Sequence, residues 1–258
     1  MEENNANLNN INIDNLNNSA NINNEVNEDN AEIVDLPDDY QYYDLSFKII
    51  VIGDSGVGKT CITNQATKLK FVNYHKATVG MELYSLSVKL NKVLIKLQIW
   101  DTCGQETYRS LITNFYRSSS LGVLVYAIDD IKSFNDLDFW MKEIKINNSP
   151  DTKLVLVGNK LDMEDDRKIK FEEGKNYAKS NGFEDFFETS AKTGENVRKM
   201  FIKVAKLLYD DYKKYKDLEM NESFSSYAAS VKSNKFNPNQ NTKIQNSKKI
   251  KKNKKSCC

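Results

Sequence analysis

The stretch "FKIIVIGDSGVGKT", Phe47 to Thr60, carries a run of apolar residues directly into a glycine-rich loop. The apolar run, Phe47 to Gly53, is typical of a parallel strand that is buried on both faces. The loop, Gly53 to Thr60, matches the pattern G-x-x-x-x-G-K-[ST] in full. Where such a loop joins a strand to a helix, its backbone N–H groups surround phosphate oxygens, and the helix N-terminus adds positive potential. The stretch therefore predicts a phosphate-binding loop.

Two side chains of this loop have separate predicted tasks. Lys59 adds a positive charge beside the terminal phosphates, and the Thr60 hydroxyl can bind Mg²⁺. Three of the ten glycines in the chain lie in the loop, which disfavours an incidental glycine-rich turn. The residues predicted here to contact the nucleotide are Gly53, Asp54, Ser55, Gly56, Val57, Gly58, Lys59, Thr60 and Cys61.

Outward from the loop, the chain between Ser46 and Lys216 alternates apolar runs with amphipathic segments, the pattern of a sheet covered by helices. Leu121 to Ile128 and Lys153 to Asn159 are further candidates for buried parallel strands. The pair Asn91-Lys92 separates two strand-like runs and predicts a hairpin, so we expect a mixed sheet with one antiparallel pair. Helical spacing predicts two core faces, formed by Phe134, Leu137, Met141 and Ile144, and by Val197, Met200, Phe201, Val204 and Leu208.

Both ends of the chain differ in composition from this central part. Residues 1–44 carry eleven acidic residues and no basic ones, and fourteen of the first thirty residues are Asn. Such a segment buries too little apolar surface to offset its ordering entropy. Since the whole chain has a net charge of +1 and the first 44 residues carry −11, residues 45–258 carry +12. We predict a disordered acidic arm at 1–44, a folded domain at 45–216 and a flexible tail at 217–258.

Composition also disfavours several classes of protein. No stretch reaches the roughly 18 to 20 apolar residues of a membrane span, and the N-terminus has no signal-peptide pattern, so we expect a cytosolic protein. The four cysteines, Cys61, Cys103, Cys257 and Cys258, lack the spacing of a disulfide framework or a zinc site, and we expect them to be reduced. The single histidine, His75, has no nucleophile motif beside it, which disfavours a catalytic triad.

A phosphate loop does not identify the base, since ATPases and nucleotide kinases use the same loop. "NKLD", Asn159 to Asp162, follows a predicted buried strand, whose carboxyl end opens on the ligand crevice. The Asp162 carboxylate can accept hydrogen bonds from the ring N–H and the amine of guanine, whereas adenine presents the opposite pattern. In "ETSAK", Glu188 to Lys192, the Ala191 N–H is expected at the guanine carbonyl, with Lys160 beside the base. These motifs favour GTP over ATP. The predicted base contacts are Asn159, Lys160, Asp162, Ser190, Ala191 and Lys192.

"WDTCGQE", Trp100 to Glu106, lies at the end of the second hairpin strand and predicts a hydrolytic element. Asp101 is expected to hold Mg²⁺ through water, and Gly104 can turn its N–H to the terminal phosphate. Gln105 follows directly. Because an amide both donates and accepts, Gln105 can orient an attacking water without a shifted pKa, and we predict it as the catalytic residue.

In this order, the motifs resemble those of the Ras superfamily of small GTPases, and more closely those of the Rab family. "YRSLITNFYR", after Gln105, is similar to the Rab switch II, and the terminal Cys-Cys is similar to Rab prenylation sites. The chain also lacks the helical insertion expected of Rho proteins after "NKLD". The resemblance implies the α/β fold of a P-loop GTPase domain, with a mixed, mostly parallel six-stranded sheet and helices on both faces.

The same resemblance implies further roles. Thr78 would bind Mg²⁺ and the terminal phosphate only in the GTP state, and Phe71 would pack on the guanine. The effector loop would comprise His75, Lys76, Ala77, Thr78, Val79, Gly80, Met81, Glu82 and Leu83. Four positions depart from the Rab pattern: Leu83 stands where Phe is usual, Cys103 where Ala is usual, Thr107 where Arg is usual, and Ala127 where Asp is usual. None of the four is a phosphate or guanine contact, so we expect these departures to alter hydrolysis and partner choice rather than nucleotide binding.

The chain ends in "KKIKKNKKSCC", Lys248 to Cys258. Cys257 and Cys258 lack the trailing residues of a C-a-a-X box, so the resemblance implies double geranylgeranylation through an escort protein. Each lysine would add about 1 kcal/mol near an anionic leaflet, as an upper figure because salt screens it. A nucleic-acid arm is the alternative, but no aromatic residue lies among the lysines. We expect the cytosolic face of an intracellular or plasma membrane, a soluble cytosolic pool and no nucleic-acid partner.

Two classes of function remain open. The first is a switch that cycles between GTP and GDP and recruits effectors to membranes in vesicle trafficking. Its exchange factor, GTPase-activating protein and GDP-dissociation inhibitor are implied by the resemblance. The second is a GTP-binding scaffold that is barely hydrolytic, for which Cys103, Thr107 and Leu83 argue. Gln105 and Thr78 favour the first. A nucleotide kinase is disfavoured, since nothing resembles an acceptor site or a lid.

Overall fold

The structure is a computed structural model of the 258-residue chain. It describes residues 30–37, 40–71, 80–103, 116–149 and 152–233, with side chains up to residue 218. The chain divides into two compact units, Met1–Leu208 and Tyr209–Cys258. The first unit contains the sheet, and the described part of the second belongs to the last helix.

The described residues form seven strands and five α-helices. The strands are β1 (Ala31–Val34), β2 (Leu45–Ile52), β3 (Met81–Leu90), β4 (Val93–Thr102), β5 (Leu121–Ala127), β6 (Lys153–Asn159) and β7 (Asp185–Thr189). The α-helices are α1 (Lys59–Lys68), α2 (Ile131–Asn135), α3 (Leu137–Asn147), α4 (Phe171–Ser180) and α5 (Val197–Ser233), and a 3₁₀ helix spans Leu161–Asp166.

One sheet contains all seven strands, in the order β1-β3-β4-β2-β5-β6-β7. Strands β4, β2, β5, β6 and β7 are parallel to one another. Strand β3 pairs antiparallel with β4, and β1 pairs antiparallel with β3. The hairpin predicted at Asn91-Lys92 is confirmed. It joins β3 to β4, and Asn91 takes a left-handed φ of 55°, which Asn tolerates better than most residues. The predicted α/β fold with a mostly parallel sheet is likewise confirmed.

The predicted number of six strands is wrong, because Ala31–Val34 adds a seventh at the β3 edge. This strand lies inside the segment that the composition assigned to disorder. Ala31 and Ile33 pair with Leu90 and Val88, whose side chains are buried. Period-two alternation places these side chains on one face, so four residues suffice to extend the apolar face of β3. Residues 1–29 lie outside the described residues.

The core lies where the sequence predicts it. Ile49 to Ile52 on β2 and Val123 to Ala127 on β5 are fully buried, as expected for central parallel strands. Val197, Met200, Phe201, Val204 and Leu208 all lie buried along α5. The other predicted face is divided between two helices: Phe134 lies on α2, and α3 begins at Leu137 after a break at Asp136.

The last helix is longer than the composition suggests. The sequence predicts flexible chain from residue 217, whereas α5 continues to Ser233. Between Val197 and Asn237 the chain contains neither Gly nor Pro, so no strong helix breaker interrupts it. No helix in the described residues is both long and apolar enough to cross a membrane.

Candidate functional site: a nucleotide site at the carboxyl ends of β2, β4, β6 and β7

The phosphate loop runs from the end of β2 into α1, and two of its glycines are required by close packing. A Cβ on Gly53 would lie 2.1 Å from the Val125 carbonyl oxygen. A Cβ on Gly58 would lie 2.3 Å from the Asn159 side-chain nitrogen, and the φ of Gly58 is 97°. A larger residue at either position would push the loop away from β5 or β6, the strands that hold it in place.

Lys59, the first residue of α1, points back into its own loop. Its Nζ donates to the backbone carbonyls of Gly53 at 2.8 Å and Asp54 at 2.7 Å. The side chain is buried, and burial lowers the pKa of Lys59 to about 8, although the charges of Asp101 and Asp54 act in the opposite direction. An ammonium has three N–H donors, so Lys59 can hold the loop and still bind a phosphate oxygen.

Thr60 and Asp101, the two described residues that the sequence predicts to bind Mg²⁺, contact each other. The Thr60 hydroxyl donates to Asp101 Oδ2 at 2.5 Å, across the gap between α1 and the end of β4. Asp101 is fully buried, and its Oδ1 has no hydrogen-bond partner among the described residues. Burial raises the pKa of Asp101 to about 6, although the Thr60 hydroxyl and the Lys59 charge oppose that shift. Hard oxygen ligands beside a phosphate loop fit Mg²⁺, which would also give Oδ1 a partner.

Asn159, at the end of β6, joins two loops of the site. Its Nδ2 donates to the Val57 carbonyl in the phosphate loop at 2.8 Å. Its Oδ1 accepts from the Thr189 hydroxyl at 3.1 Å and from the Ala191 N–H at 3.2 Å. The sequence predicts both Asn159 and Ala191 as base contacts, yet here the two bond to each other. Asn159 therefore holds the phosphate loop against the "ETSAK" loop.

Asp162 is held in place by the "ETSAK" loop. Its Oδ1 accepts from the Ser190 hydroxyl at 2.6 Å, and Lys192 Nζ lies 3.6 Å from its Oδ2. Lys160 precedes it with a left-handed φ of 71° and pairs with Asp129 at 3.1 Å. The predicted base residues thus meet in space although nearly thirty residues separate their motifs. A carboxylate oriented in this way suits the two adjacent donors of guanine.

Two sets of supporting contacts were not predicted from the sequence. Asp54 Oδ1 accepts from the Trp140 indole N–H at 2.7 Å, and its Oδ2 accepts from Lys132 Nζ at 2.9 Å. Arg167 donates to both carboxylate oxygens of Glu188, at 2.7 and 2.8 Å, where β7 enters the "ETSAK" loop. Asp54 and Glu188 belong to motifs that the sequence revealed. Their partners lie in segments with no motif, so no sequence signal identified them.

Several predicted site residues lie outside the described residues. They are His75, Lys76, Ala77, Thr78, Val79, Gly104, Gln105, Cys257 and Cys258.

The other predicted site residues lie in described parts of the chain. In the predicted effector loop, the Gly80 carbonyl accepts a hydrogen bond from the Cys103 N–H at 3.0 Å, and Met81 begins β3. Leu83 is 58% exposed and Phe71 is half-buried. Ser55 and Gly56 line the exposed turn of the phosphate loop, while Cys61 is buried, which raises the pKa of its thiol to about 11.

Comparison with protein families agrees with this geometry. Residues 48–210, well over half of the chain, match the model of the Ras family. The chain belongs to the Ras family. It is therefore a small GTPase, the kind of protein that binds GTP and GDP, typically with Mg²⁺, hydrolyses GTP and acts as a switch. In this Ras-family protein, the matched residues include the phosphate loop, Asp101, "NKLD" and "ETSAK". The terminal cysteines lie outside the match.

Proposed function

We propose that this Ras-family protein is a Rab-like switch that recruits effectors to membranes in vesicle trafficking. The observation that carries the proposal is the adjacent pair Cys257 and Cys258 behind a run of lysines. A membrane switch needs reversible attachment, and one lipid chain gives only marginal binding, whereas two chains hold more firmly. "YRSLITNFYR", after Gln105, further supports a Rab-like identity.

Guanine is the base that the candidate site favours. Asp162 accepts from Ser190 through one oxygen, and the other lone pairs of the carboxylate remain able to accept from the base. Adenine would bring an acceptor to a carboxylate, and both groups would lose hydrogen bonds. GTP and GDP are therefore the proposed ligands, with Lys59 at the phosphates and Thr60, Asp101 and Thr78 as the residues that would hold Mg²⁺.

The proposed cycle depends on a few groups of this chain. Mg²⁺, when bound, neutralises charge that builds up on the phosphates. Thr78 and the Gly104 N–H order the two switch loops while the terminal phosphate is present and release them after hydrolysis. Gln105 orients the attacking water. The active-site motifs "GDSGVGKT", "WDTCGQE", "NKLD" and "ETSAK" contain no arginine. For other small GTPases an added arginine accelerates hydrolysis by about 10³ to 10⁵. We therefore propose slow intrinsic hydrolysis that depends on an activating protein and an exchange factor.

Single-turnover hydrolysis of GTP by the full-length chain tests the cycle. We expect slow turnover that falls by a further ~10-fold or more in Gln105→Leu, because the water loses its orienting amide. ATP should not compete for the site. Gln98→Leu is a matched control, since Gln98 bonds to Ser46 on the outside of β2 and β4. Tight GTP binding with no hydrolysis in either form would contradict the cycle and favour the GTP-binding scaffold.

Mass spectrometry of the native C-terminus tests the attachment. We expect a geranylgeranyl group on each of Cys257 and Cys258 in the membrane fraction. The mechanism proposed for this modification uses an escort protein, and a GDP-dissociation inhibitor would account for a soluble cytosolic pool. Unmodified thiols in the membrane fraction would contradict this part of the proposal while leaving the GTPase cycle untouched.

A further inference from the structure

A segment before the phosphate-loop strand packs on the outer edge of the sheet. We call residues 30–37 and 40–44 the docked segment. Its strand β1 pairs antiparallel with the last four residues of β3, from Ser87 to Leu90. β3 already pairs with β4 along its other side, so among the described strands β1 alone covers this edge.

The pairing matches both faces of β3. On the inner face, Ile33 lies opposite Val88, which is fully buried. On the outer face, Glu32 lies opposite Lys89, with 3.7 Å between carboxylate and ammonium. Apolar and opposite-charge pairs across strands both stabilise a sheet, so the four residues fit this edge in one register.

Contacts on both sides of β1 fix the docked segment further. Before the strand, the Asn30 carbonyl accepts from the Asn91 N–H at 2.9 Å, at the turn of the β3–β4 hairpin. After it, Asp35 lies 3.6 Å from Arg198 on α5. These contacts lie at opposite ends of the strand and hold it against sliding along β3.

The return of the chain to β2 adds a second group of contacts. The Tyr43 hydroxyl lies 3.1 Å from the Ser87 hydroxyl, so Tyr43 contacts the edge residue that β1 also covers. Lys96 lies over the Tyr43 ring at 5.1 Å. Asp44 forms two bonds with Leu94: the Asp44 N–H donates to the Leu94 carbonyl at 3.0 Å, and the Leu94 N–H donates to the Asp44 carboxylate at 2.7 Å.

Without β1, the edge from Ser87 to Leu90 would offer unpaired N–H and C=O groups beside an apolar face, which is the kind of edge that pairs with other chains. A second copy fits it. Two β3 strands paired antiparallel about Val88 would place each Lys89 opposite a Ser87 rather than opposite the other lysine. In that register no two lysines face each other, and the Val88 side chains of the two copies lie side by side.

We propose that the docked segment occupies the β3 edge and prevents pairing of this edge with a second copy of the chain. It has two advantages over a second copy. It supplies Glu32 opposite Lys89, where a second β3 offers serine. It is also part of the same chain, so its effective concentration at the edge is on the order of millimolar.

Full-length protein in reducing buffer, loaded with GDP, tests the proposal. Ile33→Asp places a charge against buried Val88 and should release β1 without altering β3. Ile11→Asp makes the same change of charge in the first 29 residues and is the matched control. Hydrogen exchange of the Ser87 and Lys89 amides reports docking at a concentration that keeps each variant monomeric, because these amides lie on the same side of β3 as the Asn91 N–H that bonds to Asn30. Sedimentation velocity over a range of higher concentrations reports pairing.

At low concentration we expect these two amides to exchange roughly tenfold faster in Ile33→Asp. At higher concentration we expect this variant to form a dimer, while Ile11→Asp matches the monomeric parent. Unchanged exchange would show that β1 is not docked in solution. Faster exchange without a dimer would show that it does not prevent pairing, and a dimeric parent would also overturn the proposal.

A charge exchange gives a second route should Ile33→Asp disturb folding. Glu32→Lys opposes Lys89 with a like charge and should speed exchange by about two- to fivefold. Adding Lys89→Glu restores an opposite-charge pair, so the double variant should return to parental exchange and remain monomeric. A double variant that exchanges as fast as the single one would contradict the register on which the proposal rests.

Discussion

Asn159 shows what one buried side chain does in this site. One of its bonds reaches a residue 102 positions earlier in the chain, and two others reach Thr189 and Ala191, about thirty positions later. All three bonds are buried. Because a buried donor or acceptor left without a partner costs more than the net value of its bond, the loss of this one amide affects the phosphate loop and the "ETSAK" loop together.

Asn159→Ala should lower the free energy of unfolding by about 2 to 4 kcal/mol, since it leaves the Val57 carbonyl and the Ala191 N–H buried without a partner. Urea denaturation of nucleotide-free protein measures the change. Asn147→Ala is the matched control, because Asn147 bonds to the carbonyl of Glu143 within its own helix. Equal losses in the two variants would contradict the role assigned to Asn159.

Single residues also show how far the sequence predicts the site. The types and order of Lys59, Thr60, Asp101, Asn159 and Asp162 predict all of them as site residues, and the structure places them at the carboxyl ends of strands or at the starts of the helices that follow. Their bonding partners were not predictable. Asn159 was assigned to the base, yet it bonds to loop atoms, because backbone carbonyls and N–H groups carry no sequence signature.

At the scale of elements, two short helices are connected to the phosphate loop through one carboxylate. Lys132 on α2 and Trp140 on α3 each bond to the Asp54 side chain, and the backbone carbonyl of the same residue accepts from Lys59. Trp140 is itself part of the buried core cluster. The position of the loop therefore depends on how α2 and α3 pack against the sheet.

Trp140→Phe should speed the release of GDP by about tenfold, because the ring still packs while Asp54 loses a charge-assisted hydrogen bond. Stopped-flow release of a fluorescent GDP measures the rate. Tyr177→Phe is the matched control, because it also removes one hydrogen bond to a carboxylate while keeping a ring, but the carboxylate is that of Asp138. If both variants released GDP at the parental rate, the Asp54 contact would have no part in holding the nucleotide.

Elements with a distinctive apolar pattern in the sequence were predicted, whereas elements that depend on tertiary contacts were not. The runs at β2, β5 and β6 are nearly continuous in apolar residues, as expected of strands that are buried on both faces. By contrast, β1 has four residues in an acidic, Asn-rich segment, and it exists because β3 offers a complementary edge. The break between α2 and α3 at Asp136 was also missed, because the apolar spacing continues across it.

For the molecule as a whole, the folded part begins earlier than composition indicates. Removing residues 1–29 should leave the free energy of unfolding unchanged. Removing residues 1–44 should lower it by about 1 to 3 kcal/mol, because the cross-strand pairs of β1 and the contacts of Tyr43 and Asp44 are lost. Chemical denaturation of both truncations beside the full-length chain measures the difference. Equal stability of the two would contradict docking of residues 30–44.

The place of β1 also has a consequence during protein synthesis. The ribosome makes Ala31–Val34 first, but the edge that receives this strand, Ser87–Leu90, follows about 55 residues later. At about 5 to 20 residues per second, the segment waits about 3 to 11 seconds for its partner. Residues 1–44, which include this strand, carry eleven acidic residues and no basic ones, and the repulsion between these charges disfavours association during that wait. The first strand of the sheet in sequence is thus added only after β3 has been made.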